Sequence, residues 1–311
     1  MLPFLQDILF GKDREPSVAD QEKIVQRTKL SEHLPWLTYD HDNKIYYNMD
    51  DTAGYIWECS PMAFSSENTC SILEGLLRLP LPESSIMQFI LYADPYIDHV
   101  LDSYASNMVR SSDFKFIDEA VSRYKSFLLK GVDGMKAMQG VPLRNFRLII
   151  SVKVPVKASY SMTDLYNSIY EILKSAALYP EDMHPGELLD FLRKFFNDKP
   201  SLNNFHYDEE RYIRKQAIFA DTVIEAGTSF LKLGERYFRC ATVNSFPKRI
   251  SPVQTNKIFG GYQGIIDDGN QFSSPFLYSL NIVYKKLASK LHTACSMVLS
   301  QKFAGSFAPA I

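Results

Sequence analysis

Six histidines and four cysteines are the side chains in this 311-residue sequence best suited to hold a metal or act as nucleophiles. The histidines are His33, His41, His99, His184, His206 and His292. A zinc site takes four ligands, usually as pairs a few residues apart on one element. No two histidines have that spacing, and only His292 has a cysteine nearby, Cys295, three residues on. One helical turn would give such a pair two ligands of the four, so both read as packing residues. Cys59, Cys70, Cys240 and Cys295 form no CxxC pair and read as reduced, mostly buried apolar residues of a cytosolic protein.

Phosphate chemistry fares no better. A P-loop requires GxxxxGK[ST], whose amides cradle phosphate while Lys and Ser/Thr meet phosphate and magnesium. Gly precedes Lys only at Gly11-Lys12, and Asp13 follows. Gly260-Gly261-Tyr262-Gln263-Gly264 follows no clear strand and opens no helix, so it reads as a loop and not a dinucleotide fingerprint. Phe116-Ile117-Asp118-Glu119 imitates a Walker B strand inside a run of helical periodicity. The serine-rich stretches contain no GxSxG elbow. The densest charged run, Glu209 to Lys215, alternates sign and reads as a solvated face or an intersubunit contact. The reading is therefore no catalytic residue, no cofactor-binding residue and no metal ligand in this chain.

Bulk properties narrow the classes further. The 34 basic and 36 acidic side chains leave a net charge of -2, without the basic excess that phosphate neutralisation calls for. Direct nucleic-acid binding is not expected. No apolar run approaches the ~20 residues that span a bilayer. At the N-terminus Leu2, Leu5, Ile8 and Leu9 recur at helical spacing, without the basic residues that open a secretory signal. Gly11 stops the run and a charged tether, Lys12 to Glu22, follows. Two readings stay open: a segment packed on its own domain or disordered, and a peripheral contact with a membrane or a membrane-embedded partner.

The elements follow from periodicity and turn chemistry. Leu37–Asp40 and Lys44–Met49 flank His41-Asp42-Asn43 as a hairpin, and Gly54–Cys59 is a third strand. A helix from Ser66 to Arg78 has Ile72, Leu73, Leu76 and Leu77 as its buried stripe, and a strand follows over Ser85–Tyr92. Two helices come next, Asp98–Met108 and Asp113–Leu129, the second with Phe116, Ile117, Ala120, Val121, Tyr124, Phe127 and Leu128 on one face. Phe146–Val154 is a strong strand, then helices span Met162–Leu178, with Leu165, Ile169, Ile172 and Leu173 inward, and Gly186–Asn197. The last third gives a hairpin, Ser229–Leu233 with Arg236–Asn244, a Gly-rich loop over Gly260–Asn270, a strand over Phe276–Tyr284 and a helix over Lys285–Gln301.

The fold expected is α+β: a mixed, mainly antiparallel sheet with ferredoxin-like βαβ halves and helical insertions. Residues 1–33 read as a segment and tether, 34–311 as one α+β domain. The sequence stops in the apolar stretch Gly305 to Ile311, which reads as a fragment of a longer protein.

Several landmarks carry a family resemblance. LPWLTYD at Leu34–Asp40, DDTAGYIWECSPM at Asp50–Met62, PLRNFRLIISVKVP at Pro142–Pro155, VNSFP at Val243–Pro247 and PFLYSLNI at Pro275–Ile282 occur in the order of the TraC family. That family comprises the assembly ATPases of F-type type IV secretion systems. The resemblance implies a cytoplasmic protein, peripheral to the bacterial inner membrane, whose ATP and magnesium serve a RecA-like motor C-terminal to the matched region. No motor residue has a counterpart here. The implied role is docking: on inner-membrane secretion components and on other copies of the protein. The alternatives are a self-contained enzyme and a DNA-contacting module, either with a site not visible in sequence.

Overall fold

The computed structural model describes residues 29–62, 66–110, 115–134, 142–157, 160–197, 207–219, 222–227, 230–242, 276–284 and 292–303. The chain begins with β1 (Trp36–Asp40), β2 (Ile45–Asn48), β3 (Thr52–Cys59), α1 (Glu67–Leu77) and β4 (Ile86–Asp94). Two helices follow, α2 (Asp98–Arg110) and α3 (Lys115–Lys130), then β5 (Asn145–Pro155), α4 (Met162–Ser175), β6 (Glu181–Asp182) and α5 (Pro185–Phe196). The remainder is α6 (Ile213–Gln216), β7 (Ile224–Ala226), β8 (Leu231–Leu233), β9 (Arg236–Thr242), β10 (Phe276–Val283) and β11 (His292–Phe303).

Local chemistry sets the turns and helix starts. Asp40 Oδ1 accepts the N–H groups of Asp42 and Asn43, closing the β1–β2 turn. Ser66 Oγ accepts the Thr69 N–H, and Ser161 Oγ that of Asp164, capping α1 and α4. Glu187 accepts the His184 N–H at the start of α5. Gly234 takes φ 59° in the β8–β9 turn, a conformation that glycine adopts freely.

The ladders define the topology. β3 and β4 both run antiparallel to β5, so they are parallel to one another with β5 between them. α1 joins them as a split βαβ unit. β5 and β6 are both antiparallel to β3, and α4 joins them as a second unit interlocked with the first. The spatial order β6-β3-β5-β4 is a ferredoxin-like βαββαβ core, with α2 and α3 inserted between β4 and β5. The sheet continues through antiparallel pairs to the order β1-β2-β3-β5-β4-β10-β11-β9-β8-β7.

Helices cover both faces of the central strands, which explains why β3 is buried nearly throughout. On one face Trp57, Met87, Ile150 and Val152 pack against Leu76 of α1 and Leu165, Ile169 and Leu173 of α4. On the other, Ile56, Tyr92 and Ile149 meet Leu188, Leu189, Phe191, Leu192 and Phe195 of α5, with Ile213, Phe238 and Leu277. Each such side chain contributes about 1.5–3 kcal/mol by burial.

One expected element is corrected. The helix expected over Lys285–Gln301 is replaced, where it is described, by β11, hydrogen-bonded to β10 on one side and β9 on the other. Two ladders outweigh a weak local helical preference. Leu77, expected in the α1 stripe, is exposed, whereas Leu76 is buried. The Gly-rich loop 260–270 lies outside the described residues.

Candidate functional site

The feature that stands out by its chemistry is the helical hairpin α2–α3 and the charged knot at its root. β4 delivers the chain to the hairpin at Asp94, and β5 takes it back at Asn145, its cross-strand partner. One step in, Arg147 of β5 points to the α5 face and is held from three sides. Its Nε and Nη2 donate to Glu58 of β3 at 2.7 and 2.6 Å. Nη1 lies 3.8 Å from Asp94 Oδ2, and the guanidinium sits 5.6 Å from the centre of the Phe191 ring. Burial would lower the Arg147 pKa, but the Glu58 carboxylate more than offsets it, so the guanidinium stays charged.

Asp94 is fully buried. Its Oδ1 accepts the Tyr96 N–H at 2.9 Å, turning the chain from β4 towards α2. Burial pushes its carboxyl above the usual carboxylate range; the Tyr96 N–H and the Arg147 charge pull it back only in part.

The hairpin is pinned internally by an ion pair between Lys125 and Asp102 and by the rings of Tyr104 and Tyr124, 6.3 Å apart. Its outer side is apolar and uncovered. Val100, Tyr104 and Met108 of α2 recur every fourth residue, and Phe116, Tyr124 and Phe127 line the neighbouring side of α3, all exposed. Phe116 is the extreme at 73%. The sequence places these α3 residues on one face with Ile117, Val121 and Leu128. The fold splits that face: Ile117, Val121 and Leu128 are partly covered and the three aromatic residues are not. The Walker-like Phe116–Glu119 therefore sits in the first turns of an exposed helix.

The densest titratable cluster lies elsewhere, where the β1–β2 turn meets β6. Lys44 Nζ donates to Asp182 at 2.5 Å, and the Tyr166 hydroxyl is shared with both oxygens of that carboxylate at 2.9 and 3.0 Å. The hydrogen bond to Asp182 raises the Lys44 pKa, the wrong direction for a nucleophilic amine. Beside it the Tyr39 hydroxyl stands 3.2 Å from His184 Nδ1, and burial pushes that phenol up to about 12. His41 pairs with Glu209 at 3.3 Å. These groups spend their donors and acceptors on one another and tie the hairpin turn to the core.

The other sequence candidates are scattered. His33 and His99 are exposed and far from the cluster in the chain; the side chains of His206 and His292 lie outside the described residues. Since β11 is a strand, the one-turn spacing of His292 and Cys295 no longer applies. Among the described residues no group of three His, Cys, Asp or Glu side chains is placed to hold a metal. Cys59 is buried and its thiol is pushed up to about 12 by desolvation, whereas Cys70, expected to be buried, is exposed on α1. In the run Glu209–Lys215, Ile213 is buried at the start of α6, and Arg211 and Tyr212 face solvent. The sequence gives no sign of the knot, because Glu58, Asp94 and Arg147 come from three separate strands.

Among the described residues no helix is long and apolar enough to cross a membrane. No curated protein matches the chain. The sequence landmarks LPWLTYD, DDTAGYIWECSPM, PLRNFRLIISVKVP and PFLYSLNI fall on β1, β3, β5 and β10, four strands of one sheet. The family described as TraC protein matches residues 30–311, and the chain belongs to that family, which takes part in F-type conjugative transfer and pilus assembly.

Proposed function

We propose that this chain is the non-hydrolysing N-terminal docking and oligomerisation domain of a type IV secretion ATPase. In this reading residues 34–311 dock, residues 1–33 tether, and ATP and magnesium serve a RecA-like motor downstream. The domain works in the cytoplasm at the inner membrane, against membrane-embedded secretion components and neighbouring copies. The observation that carries the reading is the uncovered apolar side of α2–α3, held on a buried charged root. A patch of six large apolar side chains on a rigid support is the usual mark of a protein interface. Five Lys/Arg and five Asp/Glu cancel between residues 98 and 130, so the hairpin gains nothing from an anionic membrane and fits an apolar protein helix.

The test is Val100→Ser with Phe127→Ser in the full chain. Both side chains are about half exposed and outside the Tyr104–Tyr124 contact that pins the hairpin, so the melting temperature should hold. Self-association by light scattering and co-purification with inner-membrane secretion components should both fall. Undiminished capture by both measures would sink the reading, and ATP turnover by the chain alone would remove its non-hydrolysing part.

A further inference from the structure

The stripe that α3 leaves uncovered reads nearly the same from either end. Phe116, Ala120, Tyr124 and Phe127 are all exposed. At about 100° per residue their spacing keeps them within about 80° of the helix circumference. A second α3 laid against it end for end, centred between Val121 and Ser122, brings Phe116 onto Phe127 of the other copy. Each Tyr124 ring then lies over the other copy's Ala120, large against small, as a packed seam requires. A parallel copy would stack Tyr124 on Tyr124 and leave Ala120 facing Ala120 across a gap.

Charge selects the same orientation. Glu119 and Arg123 border the stripe, both exposed and joined by an i,i+4 ion pair at 2.6 Å. Reversal of the second copy inverts their order, so each Glu119 comes opposite the other copy's Arg123. Parallel helices would oppose like charges, which repel. From Lys115 to Ser122 the sequence carries two acids and one base, and from Arg123 to Lys130 three bases. End-for-end pairing therefore sets unlike halves, and opposite ends of the helix dipole, side by side. The Lys125–Asp102 ion pair and the Tyr104–Tyr124 contact hold α2 alongside α3, with Val100 and Tyr104 exposed at the flank of this seam. An aromatic side chain presents ~150–250 Å², so Tyr104, Phe116, Tyr124 and Phe127, each about half exposed or more, offer roughly 400 Å² a copy. A standard interface takes ~800 Å² from each side, so this contact makes a reversible dimer and not a permanent one.

We propose that α3 is an isologous contact between two copies of this chain, packed antiparallel about Ala120 and Tyr124 and bordered by crossed Glu119–Arg123 pairs. This rests on the docking reading above and names the occupant of that surface: a second hairpin, turned end for end.

Sedimentation velocity of the full chain, with one component fluorescently labelled, tests it. Ala120→Glu alters an exposed position and should abolish self-association at unchanged circular dichroism and melting temperature. Glu119→Lys and Arg123→Glu should each weaken it about tenfold, since two rim attractions per dimer become repulsions. An equal mixture of these two single variants should associate again. A chain with both reversals should self-associate like the parent but not mix with it. Preferential mixing of the parent with the doubly reversed chain would show a parallel pair and overturn the arrangement. Self-association that none of these variants moves would overturn it too. If Val100→Ser with Phe127→Ser still abolishes that association, only this geometry falls and the docking reading stands; if it also changes nothing, both fall. A chain that stays monomeric at every concentration, yet captures secretion components through Val100 and Phe127, would give the hairpin to a different protein and exclude the second copy.

Discussion

Arg147 and Glu58 meet as a fork, two hydrogen bonds of 2.7 and 2.6 Å from one guanidinium to one carboxylate. Bidentate pairs of this kind fix angle as well as distance. Here the fork joins β3 to the first residues of β5, and Asp94 adds the end of β4. The three strands that carry the hairpin are thereby fixed to one another at the point where it leaves the sheet.

Removing the cation should therefore cost more than its own contacts. Arg147→Ala removes both hydrogen bonds of the fork from Glu58 and one of the positive charges beside the buried Asp94, a loss of about 3–5 kcal/mol. Arg147→Lys keeps the charge but not the fork and should recover only part. Urea denaturation midpoints decide this. A loss below about 1 kcal/mol for Arg147→Ala, as for a surface pair, would show that the fork does not anchor the strands.

Asp94 gives the fold a pH dependence of definite sign. Its folded pKa is raised above the unfolded value by burial, so the folded state holds the proton more tightly. The stability it contributes is complete below the unfolded pKa and is lost as pH rises through the folded pKa. Asp94→Asn keeps an oxygen for the Tyr96 N–H and removes the ionisation. Relative to the unaltered protein, this variant should gain stability as pH rises from about 4, by at most about 1.4 kcal/mol per pH unit. Melting curves that stay parallel across that window would mean that Asp94 is not desolvated in solution.

The backbone of β3 makes a separate demand. A Cβ on Gly54 would stand 1.8 Å from the Val152 carbonyl oxygen, and that neighbour is main chain and cannot rotate away. Gly54→Ala should therefore force β3 from β5 at the Gly54–Lys153 pair and cost at least the ~1–3 kcal/mol of an overpacked site. A variant as stable as the parent would place the two strands further apart than the ladder has them.

How much of this was legible beforehand depends on where the information resides. Val–Ile–Leu runs and turn residues are local, so β3, β4, β5 and the α4 stripe Leu165, Ile169, Ile172 and Leu173 follow from periodicity; three of those four are buried and Ile172 is partly covered. β11 is not legible in the sequence because Ala294, Ser296 and Met297 suit a helix as well as a strand, and only the two flanking ladders decide. The knot of Glu58, Asp94 and Arg147 was invisible because three strands bring it together. The α3 face was half right for a deeper reason. An amphipathic pattern records that a face is to be covered, not which molecule covers it.

That last point yields the sharpest stability contrast. Ile169 and Phe116 are both apolar residues on an apolar helix face, but Ile169 is fully buried and Phe116 is mostly exposed. Ile169→Ala removes atoms from a packed core and should cost about 2–5 kcal/mol. Phe116→Ser removes more apolar surface yet should change stability by no more than about 0.5 kcal/mol, because the isolated chain gains nothing from that ring. The phenylalanine should instead matter for association, and Phe116→Ser should weaken self-association or capture of a partner at unchanged melting temperature. If Phe116→Ser destabilises the chain as much as Ile169→Ala does, the hairpin face is buried within the protein itself, and the docking surface must be sought elsewhere.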